Sequence, residues 1–120
     1  MRDFREYDIW IDGMRLVEDV YRLVDDFPSK EKFSLSSQIT RSAVSVPSNI
    51  AEGASRVSEK DFGRFLEISL GSCFELETQL RIANTRKYLL STEFETLLSN
   101  LISLQKRIFA LRKKVIARKV

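Results

Sequence analysis

The chain contains no histidine. This removes imidazole acid–base catalysis, the Ser-His and Cys-His nucleophile pairs, and every metal site built on imidazole. Cysteine is nearly absent as well. Cys73 alone closes no intramolecular disulfide and assembles no cysteine-cluster metal site, so a reducing cytoplasm is the expected compartment. Four glycines and two prolines are too few for a disordered or fibrous chain. Long apolar runs are missing, which leaves nothing to span a membrane, and the opening MRDFREYD has no apolar core of the signal-peptide kind. What is present is 120 residues, 43% hydrophobic and 31% charged, which is the length of a single domain, 1–120, with enough apolar material for a core. These features describe a small, soluble, cytoplasmic protein, and they point away from an enzyme, a cofactor or a bound metal.

The net charge of +3 is unevenly spread. Residues 1–60 hold nine Lys/Arg against eleven Asp/Glu, and residues 61–120 hold eleven against six. No acidic residue follows Glu95, whereas Lys106, Arg107, Arg112, Lys113, Lys114, Arg118 and Lys119 are all basic. Two readings compete for this tail. It can contact the phosphates of a nucleic acid, or it can simply complement the negative end of a helix dipole.

Four segments carry apolar residues at three- and four-residue steps, and none of useful length alternates like a strand. The spacing predicts helices over about 8–26, 32–54, 59–87 and 93–116. The first is stopped by Phe27-Pro28, because a residue preceding proline is pushed out of the helical region. Pro47 lies inside the second, where the stripe Leu35, Ile39, Ala43, Val46 and Ile50 continues in phase across it. A kink is therefore preferred to a break. Ser58 to Asp61 and Thr92 to Glu95 have the spacing of capping boxes and open the third and fourth helices. Short connections make sequential helices antiparallel neighbours, so the expected fold is an all-α, up-down-up-down four-helix bundle.

Two of these helices show too much apolar surface for a lone bundle. A surface helix needs an apolar stripe a little over 100° wide, yet the apolar positions of helix 1 sweep about 200° from Leu23 round to Met14. From Phe33 to Ser55 the only charges are Arg41 and Glu52, and the rest of that surface is small and neutral: Ser37, Thr40, Val44, Ser48, Ala51 and Ser55. Self-association through helices 1 and 2 is the simplest cover. Trp10 and Tyr21 then read as core or interface aromatics, and Cys73 as a small core residue.

Helix 2 also carries a polar stripe, Gln38, Arg41, Ser42, Ser45, Asn49 and Glu52, within about 100° on a helical wheel. Helix 3 offers Arg64, Glu67, Gly71, Ser72, Glu75, Thr78 and Gln79 in return. If the stripes face each other, Arg41 pairs with Glu75 or Glu67. Gly71 in mid-helix implies close approach of a neighbour. A structural polar network of Gln38, Arg41, Asn49, Glu52 and Glu75, setting register between helices or subunits, is the favoured reading. A ligand or RNA-backbone contact is its competitor. Glu-rich bundles hold di-metal centres with Glu-x-x-His motifs, which this chain cannot supply.

The run from Gln38 to Gly53, with SVPSNIAEG at its heart, resembles the hallmark stretch of the four-helix-bundle proteins encoded within bacterial 23S ribosomal RNA intervening sequences. The similarity continues through Ser58, Phe62, Phe65, Leu66 and Gly71 to Leu80. It includes the lead-in Phe27-Pro28, Glu31 and Phe33-Ser34-Leu35, with Ser34 where that family usually has glycine, and it spans about residues 8–111. The resemblance implies a left-handed antiparallel bundle assembled as a ring-like homopentamer. It also brings in a related branch, the accessory variability determinant proteins of diversity-generating retroelements, whose basic surface binds a reverse transcriptase and nucleic acid. Arg41, Asn49, Glu52 and Glu75 match the family's signature polar positions, to which no catalytic role attaches. The expected function is a non-enzymatic homo-oligomeric scaffold binding RNA or a nucleoprotein. The alternative is an assembly module that docks a protein such as a polymerase without touching nucleic acid.

Overall fold

The periodic segments form four helices: α1 (Asp8–Val24), α2 (Leu35–Ala54), α3 (Glu59–Thr85) and α4 (Ser91–Ala117). The computed structural model describes residues 1–118. Each helix packs on two neighbours, α1 on α2, α2 on α3, α3 on α4 and α4 back on α1, in a bundle 51 × 24 × 20 Å. The core runs the full length of the bundle, from Val115, Phe62 and Ile9 through Val46, Cys73 and Leu104 to Leu80 and Ile39, each at most 2% exposed. Burial pushes the Cys73 thiol up to about 12, so it stays protonated and inert in the folded chain.

The helix ends depart from the expected limits for local reasons. After α1 the chain turns through Phe27-Pro28 into a single 3-10 turn, Ser29–Glu31, and α2 begins three residues later than its apolar period suggests. α3 opens as expected, with the Ser58 hydroxyl accepting from the Asp61 N–H at 3.1 Å. It ends at Thr85 in a turn where the Tyr88 N–H donates to the Ala83 carbonyl and the Lys87 N–H to that of Asn84. This pairing needs a left-handed residue, and Lys87 supplies it with φ 62°. α4 starts at Ser91 and not at the Thr92 box: the Glu93 carboxylate accepts the Leu90 N–H at 3.0 Å.

Pro47 lies buried within an unbroken α2. Its ring sits against Gly13, where an added Cβ would come within 3.3 Å of the Pro47 Cβ, so glycine lets α1 approach. Gly53 does the same for α3: a Cβ there would meet Phe65 Cβ at 2.5 Å. Gly71 is the exception, since a Cβ there would meet nothing within 4 Å. The close neighbour expected for it does not exist within one chain.

Candidate functional site

The α2–α3 seam is polar but uncharged. The Ser42 hydroxyl donates to Gln79 Oε1 at 2.9 Å, Ser45 and Ser72 share a hydrogen bond of 2.7 Å, and Asn49 Nδ2 donates to Ser45 Oγ at 2.9 Å. The buried Ser69 hydroxyl donates to the Val46 carbonyl at 2.8 Å. These bonds lock the register of the two helices in a region where unpaired polar atoms would be costly.

The charged members of the expected network do not take part. Arg41 and Glu75 are exposed and make no ion pair among the described residues, while Glu67 is bound by Arg112 at 2.7 Å. Glu52 pairs with Arg56 at 3.0 Å on the surface, and exposed Gln38 contributes only its backbone carbonyl, to Ser42. Arg41 stands at the outer edge of the stripe, about 100° round α2 from Ser42, and its side chain faces solvent. Of the five residues expected, Asn49 alone belongs to the seam.

The basic tail is divided in the same way. Half-buried Arg107 bridges Asp8 at 2.7 Å and Asp12 at 2.8 Å, tying α4 to α1. Arg112 holds Glu67, and Arg118 reaches Glu59 at 3.3 Å. These three guanidinium groups are therefore occupied within the chain. Lys106, Lys113 and Lys114 are exposed and form no ion pair among the described residues; Lys119 lies outside them.

Three carboxylates are held below their ordinary value of 4.5. Glu31 accepts the Tyr88 hydroxyl at 2.8 Å, Glu59 is held by Arg2 and Arg118, and Glu77 accepts from Gln105 at 2.9 Å and from Arg81. A carboxylate depressed in the folded state contributes stability that is complete above its unfolded value and is lost as pH falls through its folded one. With no histidine to titrate, melting temperature is expected to stay level near neutrality and to fall below about pH 4.5. Thermal denaturation followed across pH checks this. A decline already present between pH 6 and 7 would contradict it.

Two outer faces remain apolar. On α1–α2, Ile11, Met14, Tyr21 and Val44 are 37–47% exposed beside half-buried Trp10 and Val17. On the opposite α3–α4 face, Leu70, Phe74, Gln105, Lys106 and Phe109 line a groove of about 260 Å³, with Phe74 and Phe109 more than half exposed. Among the described residues no helix is long and apolar enough to cross a membrane, and no cluster of three or more Cys, Asp or Glu side chains could hold a metal ion.

The described residues form an all-α four-helix bundle with a neutral hydrogen-bonded seam between α2 and α3 and two bare apolar faces. Residues 5–110 match the family described as 23S rRNA-intervening sequence protein, and the chain belongs to that family. A solved structure of a protein of unknown function from the S23 ribosomal protein family, from Bacteroides thetaiotaomicron VPI-5482, superposes with a TM-score of 0.79. The two are 22% identical over 88% of this chain and 98% of that one, so the fold is common to both. No curated protein matches the sequence.

Proposed function

We propose that the chain is a non-enzymatic, cytoplasmic scaffold that assembles as a ring-like homopentamer and binds RNA through basic surface. The observation that carries the reading is the bare α1–α2 face. Four large apolar side chains stand exposed there beside Trp10, and small residues of α2 leave room for close approach. The α3–α4 groove of the next copy is its counterpart. Because the two faces lie on opposite sides of the bundle, the contact is head-to-tail, and such contacts close into rings when the rotation allows. Gly71, open on the outside of α3, keeps that helix accessible.

Lys106, Lys113 and Lys114 are the cations of the tail left for phosphates, and a ring repeats them in every subunit. Changing all three to Gln is expected to reduce the slope of log affinity against log salt for single-stranded RNA by about 2. Fluorescence anisotropy with labelled polyuridine, titrated at several salt concentrations, measures it. Arg112 is left intact because it holds Glu67. An RNA affinity that is high and indifferent to salt in the unaltered protein would overturn the phosphate reading.

A further inference from the structure

A second group of cations stands at the other end of the bundle, with the Arg86 guanidinium 5.9 Å from the Tyr88 ring centroid. Lys30 and Lys32 stand in the α1–α2 connection, and Arg86 and Lys87 in the α3–α4 turn. The two connections are bound together by the Tyr88 hydroxyl, which donates to Glu31 at 2.8 Å, and by the packing of Phe27 on Tyr88 at 5.4 Å between ring centroids. Lys30 and Arg86 both lie close enough to stabilise the Glu31 carboxylate. Lys30 and Arg86 thus share one carboxylate, and Lys32 and Lys87 beside them are exposed and form no ion pair among the described residues. Asp25, Asp26 and Glu93 line a cleft between α1 and α4 together with Asp19 and Arg22, and Glu95 follows in the first turns of α4.

One further observation gives the patch a direction. Phe33 is 89% exposed, with the Lys32 ammonium 5.4 Å from its ring centroid. A bare aromatic beside a cation is what a base and its phosphate require. Lys87 holds the left-handed conformation, φ 62°, at a position where glycine would sit without strain. The turn that ends α3 fixes this conformation, so exchanging Lys87 for glycine removes the side chain without disturbing the backbone.

We infer that this end of the bundle is a binding site for single-stranded RNA, in which Lys30, Lys32, Arg86 and Lys87 contact phosphates and Phe33 stacks on a base. The site rests on the reading of RNA as partner, but lies at the opposite end from Lys113 and Lys114. Sequence order hides it, because the two basic pairs are more than fifty residues apart.

The test uses the full-length protein and a labelled single-stranded polyadenosine probe. Changing Lys30, Lys32 and Lys87 together to Gln is expected to shrink the salt slope by about 2. Phe33→Leu, which keeps apolar bulk but removes the π-face, is expected to weaken binding about tenfold. Lys87→Gly is expected to raise the melting temperature while weakening binding, which separates lost contact from lost fold. If the α4 lysine variant loses binding and these variants do not, this site is overturned and the scaffold reading stands. If these variants lose binding and the α4 variant does not, the site stands and the α4 contact falls. A Phe33→Leu variant with native RNA affinity but altered subunit number would assign Phe33 to a protein contact and overturn its stacking role.

Discussion

Phe62→Ala is expected to lower stability by about 4 kcal/mol, and with it the melting temperature by roughly 10–25 °C. Phe62 is fully buried where the N-terminal segment meets α2 and α3. The Arg2 guanidinium lies 4.5 Å over its ring, the Tyr7 ring is 6.0 Å away, and a Cβ on Gly53 would come within 3.2 Å of its Cδ1. Arg2 also donates to the Ala54 carbonyl at 3.3 Å and to the Glu59 carboxylate, so the ring is the floor on which the N-terminal segment clasps the α2–α3 connection. Truncation leaves a cavity that surrounding helices cannot fill, and a loss of this size is a large share of the 5–15 kcal/mol typical of a domain. Chemical denaturation of the variant and its parent measures it. A loss below about 1 kcal/mol would mean that the clasp does not depend on the ring.

The second large effect concerns assembly. Met14→Glu combined with Val44→Asp places two carboxylates on the α1–α2 face, at side chains 44% and 39% exposed in the isolated chain. On a surface that faced water, such changes would be nearly neutral, within about 0.5 kcal/mol each. In an interface each buries an unpaired charge, at about 2–5 kcal/mol, which is enough to weaken association several thousandfold when both are present. The expected product is a folded species of 13.9 kDa with native helical content. Sedimentation velocity and circular dichroism report the two halves of that expectation. An unchanged sedimentation coefficient would remove this face from the interface.

The helices were legible because their apolar residues recur with a helical period, and burial follows that period closely: Ile39, Ala43, Val46 and Ile50 are all fully buried. The surplus of apolar surface on α1 and α2 was equally legible, since charge is so sparse between Phe33 and Ser55. Chain ends and partners were not. The start of α2 is set by a 3-10 turn after Pro28, and the end of α3 by a left-handed lysine where glycine is the usual sign. The polar seam was half readable. Ser42, Ser45, Asn49 and Gln79 stand next to the core and meet across it, while Arg41 and Glu75 point outward although they share the same stripe. A helical wheel gives the angle of each residue but not the depth at which a seam closes. Arg107 could not be told from Lys106 by sequence, because its carboxylates come from α1 at the far end of the chain. The cluster of Lys30, Lys32, Arg86 and Lys87 was invisible for the same reason. It exists only because Tyr88 and Glu31 join two connections.

The central claim is that the outer face of α1 and α2 is covered by another copy of the chain. Size-exclusion chromatography with light scattering at micromolar concentration tests it most directly. The account predicts one discrete species at five times the 13.9 kDa of the chain. A single species of 13.9 kDa would contradict it.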